Sequence, residues 1–189
     1  ILAIKRMHRK IGRAQQQATP LTKPLLIQLL NSWDNRVRGL RSQVLLRLGY
    51  ETMRRRSELC AFKFEDICQA VNKKPAIRLN FSKTDQFGTG KVLLISRKLF
   101  ILLAKWRALI GGEGYILQSI NKHGHIARSL HPACISITLR ALQKDLEMDS
   151  DEQPPSGHSF RVGAALDLLE QGEPLEKIML KGGWQTDST

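Results

Sequence analysis

The sequence predicts a mainly α-helical chain with one small antiparallel β-sheet. Three observations lead there. Apolar residues recur at three- and four-residue spacing through most of the chain, and each run is bounded by Gly, Pro or a polar turn. One short block, in which Ile77, Leu79 and Phe81 interleave with Arg78, Asn80 and Ser82, alternates with a period of two. No segment repeats another, and 189 residues with 42% hydrophobic content suffice for one well-buried domain with a short appendage.

Residues 1–19 are set apart from residues 20–189. The first stretch holds Lys5, Arg6, Arg9, Lys10 and Arg13 and no acid, then turns Gln-rich from Gln15 to Gln17. It reads as the end of an upstream helix running into a basic linker. Both a disordered tail and an arm lying on phosphates fit that composition. Thr22 then caps a helix with the stripe Leu26, Leu29, Leu30 and Trp33. A second helix, from about Asn35 to Leu48, buries Val37, Leu40, Val44 and Leu48, shows Arg36, Arg38 and Arg41 on its other face, and is expected to break at Gly49. Tyr50 to Leu59 reads as a short helix carrying Arg54, Arg55 and Arg56. Neighbouring residues splay by about 100° around a helix, so at most one of the three points inward, and it needs a carboxylate. Glu58, three residues after Arg55, can supply it.

The alternating block is one strand, Val92 to Ile95 its hairpin partner, and residues near Ile67 to Val71 a third strand. The glycine-containing loop from Lys83 to Gly90 puts Lys83 at the hairpin mouth. Helix returns with Leu99, Leu102, Leu103, Trp106 and Ile110 and ends at Gly111, Gly112 and Gly114. Ile116 to Ile126 reads as a small hairpin turning at His123-Gly124. Pro132 opens a helix with Ile135, Leu139, Leu142 and Leu146 inside. His123, His125 and His131 lie close in sequence, but no cysteine or carboxylate completes a metal site at ligand spacing. After a turn-rich run from Asp149 to Pro155, Ser156 starts a helix with Val162, Ala165, Leu166 and Leu169 at helical spacing, stopped at Gly172. Pro174 begins the last one, with Leu175, Ile178 and Met179 inside and Gly182-Gly183 at its end.

The charge balance narrows the partner. Lys+Arg number 30 against 17 Asp+Glu, a formal net charge of +13, which favours a polyanion, most often nucleic acid. No apolar run is long enough to cross a bilayer, and no stretch of these residues reads as a secretory leader. Cys60, Cys68 and Cys134 are odd in number, sit in apolar patterns and read as buried thiols of a reducing compartment.

The most telling stretch is Ser156-Gly157-His158-Ser159-Phe160-Arg161-Val162-Gly163. It sets a titratable imidazole and a permanent guanidinium on one face at a helix N-terminus, where backbone N–H groups already favour an anion. Taken in order, Arg55-x-x-Glu58-Leu59, the hairpin Lys83, His158-x-x-Arg161 and Gly182-Gly183-Trp184 resemble the catalytic domain of the tyrosine recombinases, the phage integrase family, and most of all its Cre-like branch. The resemblance runs from about Pro20 to Thr189.

That resemblance implies a site-specific DNA recombinase or integrase, a DNA-binding protein of a mobile element that cuts and rejoins strands through a 3′-phosphotyrosyl intermediate. No cofactor and no metal is implied, so cations of the protein must hold the charge that develops at phosphorus. Arg55 and Arg161 would clamp the non-bridging oxygens and Lys83 would protonate the departing 5′-oxygen. His158 would accept a proton or donate a hydrogen bond, Trp184 would donate its indole N–H, and Glu58 would orient Arg55. The partner would be double-stranded DNA, with a tetramer assembling on two recombining sites, in a cytoplasmic, DNA-associated setting of a prokaryote, phage or plasmid. The family's tyrosine follows Gly-Gly-Trp by a short distance, whereas the tyrosines here are Tyr50 and Tyr115. The nucleophile is therefore expected beyond residue 189, from a chain cut at both ends, and these 189 residues alone are expected to be inactive. The alternative is a DNA-binding relative that has lost its tyrosine.

Overall fold

The central helix of the fold, α2 (Val37–Thr52), owes its place to the five apolar side chains it buries. The computed structural model describes residues 19–34, 36–80, 90–145 and 155–184, and Lys83 and the basic arm from Lys5 to Arg13 lie outside them. Among the described residues, the helices are α1 (Lys23–Ser32), α2 (Val37–Thr52), α3 (Arg56–Ala61), α4 (Arg97–Ile110), α5 (Pro132–Asp145), α6 (Ser159–Glu170) and α7 (Leu175–Gly182). The strands β1 (Ile67–Gln69), β2 (Pro75–Leu79) and β3 (Lys91–Leu94) form one antiparallel sheet in the order β1-β2-β3. In α2, Leu40, Val44, Leu45, Leu46 and Leu48 are all buried, and the helix packs against α1, α4 and α6.

The sheet keeps the predicted period. Ile77 pairs with Ile67 and Leu93, and Leu79 with Lys91. Ile77, Leu79 and Leu93 face the core while Arg78, Val92 and Leu94 face out. Helix α4 is closed at its start by the Ser96 hydroxyl, which accepts from the Leu99 N–H at 3.1 Å, and at its end by Gly111 at φ 84°. Its Trp106 is fully buried and still satisfied, donating its indole N–H to the Ile116 carbonyl at 2.7 Å.

Several expectations give way to tertiary packing. Gly49 does not break a helix, because α2 runs on to Thr52 and ends at Met53, which adopts the left-handed conformation at φ 53°. Gly49 is there for contact: a Cβ at that position would lie 2.9 Å from the Phe160 ring of α6. The three arginines do not share a helix either. Arg54 lies between α2 and α3, Arg55 is the N-cap of α3, and only Arg56 is helical. Arg41 is half-buried rather than on a solvent face, and burial lowers its pKa. The 116–126 segment contributes only a single bridge, Ile120 to Ile126. Thr22 stands at the N-cap of α1 without a side-chain bond; the Asp167 carboxylate accepts the Lys23 N–H instead, at 2.7 Å.

The largest revision concerns α6 and α7. The apolar residues that mark α6 in the sequence are not its buried face: Leu166 is 40% and Leu169 47% exposed. Phe160, Arg161, Ala164 and Asp167 point inward instead, because α6 packs on α2 and α7 through that side. Leu175 likewise lies in the open, while Ile178 is buried.

Candidate active site

Three chain turns converge on one cluster of cations. The first is the link between α2 and α3. Left-handed Met53 reverses the chain, and Arg55 then caps α3 with extended backbone. Glu58, at the third helical position, accepts the Arg55 backbone N–H at 3.1 Å and its Nη1 at 3.1 Å. Glu58 is buried, whereas a third of the Arg55 side chain is exposed. A carboxylate held from two directions thus fixes a guanidinium that still faces solvent.

The second turn opens α6. The Ser156 N–H donates to Ser159 Oγ at 2.8 Å, and the His158 N–H donates to Ser156 Oγ at 3.1 Å, which locks His158 immediately before the helix. Arg161 follows one turn later. The two side chains do not share an exposure: His158 is open to solvent and Arg161 is 2% exposed. They share a neighbourhood. Partial burial, then the charges of Arg161, Arg55 and Arg56, hold the His158 imidazole below its ordinary pKa. Burial, then Arg55 and Arg54, lower Arg161 to about 10, with Glu58 opposing.

The third turn ends α7. Gly183, at φ 68°, reverses the chain, and the Trp184 N–H closes back on the Met179 carbonyl at 3.0 Å. The Trp184 ring then lies over Arg161, 4.7 Å from centroid to Cζ. Arg161 Nη2 donates to the Gly182 carbonyl at 3.1 Å, and its Nε is buried with no hydrogen-bond partner among the described residues. An unsatisfied buried donor of this kind costs about 1–3 kcal/mol.

Other residues arrive at the site unannounced by the motif. Arg54 is buried, donating Nε to the Thr52 carbonyl at 2.8 Å and Nη2 to the Lys181 carbonyl. Arg56 lies over Gly157 and donates Nη1 to Ser136 Oγ of α5 at 3.0 Å. Arg55, Arg56 and His158, with His131, Ser136 and Arg140, line an open cleft of about 700 Å³. In the sequence, the only signal for Arg140 is its place on the polar side of α5. Lys91, the first residue of β3, donates Nζ to the Leu180 carbonyl near the end of α7. Lys83 lies outside the described residues, between β2 and β3.

Both tyrosines have partners of their own. The Tyr50 hydroxyl donates to Asp167 Oδ2 at 2.5 Å, and burial together with that carboxylate raises its pKa well above the ordinary phenol value. Tyr115 is half-buried, its ring beneath Lys63 Nζ at 5.4 Å. Among the described residues no three His, Cys, Asp or Glu side chains form a group that could hold a metal ion. Cys60 is buried, and burial pushes its thiol up to about 12, while Cys68 and Cys134 are half-buried. No helix of the described residues is long and apolar enough to cross a membrane. What the site offers is positive charge around one buried carboxylate, with a buried guanidinium N–H that has no partner among the described residues: a receptor for an anion.

Comparison with known proteins places the fold. The recombinase Cre of Escherichia phage P1 is 26% identical over 191 residues; the match takes in 92% of this chain and 55% of Cre, so the chain spans about half the length of that relative. The XerA recombinase structure superposes with a TM-score of 0.68 at 16% identity, over 92% of this chain and 57% of that one. A lambda integrase dimer bound to a COC′ core site gives a TM-score of 0.67 at 18% identity, over 93% and 47%. The phage integrase family model matches residues 21–189. With that match spanning both the Arg55 turn and the Trp184 turn, the chain belongs to the phage integrase family and carries the catalytic-domain fold of the tyrosine recombinases.

Proposed function

We propose that this chain is the catalytic domain of a site-specific DNA recombinase that cleaves and rejoins strands through a 3′-phosphotyrosyl intermediate. The observation that carries the reading is the buried Nε of Arg161, without a partner among the described residues, near the Glu58-braced Arg55. In the reading, these two guanidiniums bind the non-bridging oxygens of the scissile phosphate and stabilise the phosphorane-like transition state, for which planar forked donors suit. His158, neutral near pH 7 in the free protein, hydrogen-bonds the same group and can take a proton. Trp184 packs on Arg161 and offers its indole N–H. Lys83 protonates the leaving 5′-oxygen.

The nucleophile in this reading is a tyrosine beyond residue 189. Its support is that Tyr50 is bonded to Asp167 and Tyr115 sits against Lys63. The same fact supports a second reading, a relative that binds duplex DNA through the basic cleft and has no tyrosine to attack with. Residues 1–19 serve as a basic linker on phosphates in both readings, with Lys5, Arg6, Arg9, Lys10 and Arg13 neutralising backbone charge. Full-length relatives bear on assembly. Lambda integrase has been seen as a tetramer bound to a Holliday junction, and we extend a tetramer on two sites to this protein.

The test begins with the recombination site, found by sequencing the junctions made in cells that express the full-length gene. The full-length protein is then incubated with a suicide duplex of that site and run on a denaturing gel. A covalent protein–DNA band that disappears when the tyrosine after Trp184 is changed to Phe supports the recombinase. Binding of the duplex without any adduct supports the second reading.

A further inference from the structure

The family motif does not single out Arg54, yet its surroundings are unusual for an arginine. It is 2% exposed, and no carboxylate among the described residues forms an ion pair with it. Its bonds go to main-chain carbonyls, Nε to Thr52 and Nη2 to Lys181. Burying a guanidinium with no paired carboxylate, the Glu58 charge acting on it only without direct contact, is costlier than burying an apolar side chain of similar size, so the stability of the turn gives no reason for it. The carbonyl of Lys181 does. It belongs to the last turn of α7, where unsatisfied carbonyls carry partial negative charge.

The next carbonyl in the chain, Gly182, takes Arg161. Two arginines from different elements therefore hold consecutive carbonyls of one helix end. The chain then reverses at Gly183, so close to Arg54 that a Cβ there would lie 3.0 Å from Nη1. Trp184 folds back onto Arg161 directly afterwards. On its other side, Arg54 is the neighbour of Arg55 in the chain. One guanidinium thus joins the turn that carries Arg55 to the turn that carries Trp184.

We propose that Arg54 is a positioning residue of the phosphate clamp: its buried guanidinium pins the end of α7 to the α2–α3 turn, and so sets Trp184 and Arg161 in register with Arg55. The inference rests on reading the site as a clamp for a DNA phosphate. A lysine at position 54 reaches one carbonyl but cannot bridge Thr52 and Lys181 with a planar fork. An apolar residue leaves the end of α7 held by Arg161 at Gly182 and by Lys91 at Leu180, with nothing tying it to the α2–α3 turn through position 54.

The test uses the full-length protein labelled with 5-fluorotryptophan, with the Trp184 fluorine resonance assigned by its loss in Trp184→Phe. In Arg54→Met without DNA, the Trp184 resonance should move toward that of the free amino acid while the buried Trp106 resonance stays in place. Arg54→Lys should move it the same way by less. On a suicide duplex of the recombination site, single-turnover cleavage should fall about tenfold or more in both variants. Affinity for the duplex should change less than about threefold, since Arg54 touches no phosphate. If Arg54→Met does not fold, the Arg54→Lys shift and cleavage rate decide alone. A Trp184 resonance unmoved in every folded variant overturns the proposal, and so does a Trp106 shift as large as that of Trp184. Normal cleavage by Arg55→Met would remove the clamp reading instead, and it leaves the DNA-free Trp184 readout standing.

Discussion

Arg161 and Trp184 are joined twice, through the ring that lies 4.7 Å from the guanidinium and through the Gly182 carbonyl two residues earlier, which Nη2 holds at 3.1 Å. The arginine is consequently oriented by α7 although it grows from α6. Its buried Nε has no hydrogen-bond partner among the described residues.

That donor makes Arg161 sensitive to shape as well as charge. In the full-length protein, Arg161→Lys and Arg55→Lys should each lower covalent adduct formation by two or more orders of magnitude, roughly the loss seen when one fixed donor to a developing oxyanion is removed. Single-turnover cleavage on a suicide duplex checks this. Retention of adduct within a few-fold by either variant would exclude that arginine from the transition state.

Lys83 should reveal itself through its leaving group. Lys83→Ala should cleave a normal phosphodiester poorly but recover on a 5′-bridging phosphorothiolate, whose sulfur departs without a proton. Equal losses on both substrates would assign the acid to another residue.

Neither Tyr50→Phe nor Tyr115→Phe should abolish the adduct in the full-length protein, since both side chains are engaged elsewhere. Tyr50→Phe should still lower stability by about 1–2 kcal/mol, because Asp167 loses a buried donor. Denaturant unfolding measures the second effect and the denaturing gel the first.

His158 makes the site sensitive to acid. Its folded pKa lies below the ordinary value of 6.5, so the unfolded chain takes up the proton first as pH falls. This group's contribution is flat above about pH 6.5, and stability is lost as pH drops through that value toward the folded pKa. His158→Gln should flatten that limb of the thermal midpoint against pH between about 7.5 and 5. Bound duplex, by supplying negative charge, should raise the His158 pKa in a proton NMR titration. An imidazole that titrates at its ordinary value in the free protein would contradict the geometry.

Gly49→Ala sets two effects against each other. Alanine favours a helix over glycine by about 1 kcal/mol, but the new methyl meets the Phe160 ring at 2.9 Å. Forcing extra volume into a packed contact costs about 1–3 kcal/mol. The melting temperature should therefore fall, and Phe160→Leu in the same chain should restore part of it. A rise in melting temperature on Gly49→Ala would mean that the helix–ring contact is loose.

Much of this architecture is legible in the chain, for reasons that differ by element. The sheet reads well because Ile77, Leu79 and Leu93 bury one face and so impose a period of two. Helix α4 reads well because Leu99, Leu103 and Trp106 recur at helical spacing and Gly111 stops it, and α5 because Pro132 opens it. The glycines mislead where they serve packing: Gly49 looks like a stop and is a contact. Helix α6 misleads more deeply. Its leucines advertise a core face, yet the face that packs carries Arg161 and Asp167, and only the partners of those residues, which are distant in sequence, make that burial tolerable. The motif names Arg55, Glu58, His158, Arg161 and Trp184, all of which fall in or beside one cation cluster. It is silent on Arg54 and Arg56, since being next in sequence to a site residue says nothing about where a side chain turns.

Asp167 shows how such a helix keeps its rotation. Its carboxylate takes the first N–H of α1 and the hydroxyl of Tyr50 on α2, so two separate helices are keyed to a single position on α6. An oily face tolerates sliding, because one methyl contact is much like the next. Two short directional bonds to one side chain do not, since a slip of one residue would swing the carboxylate by about 100° and break both. The angular setting of His158 and Arg161 is in this way determined two turns further along the same helix, by a dowel rather than by grease.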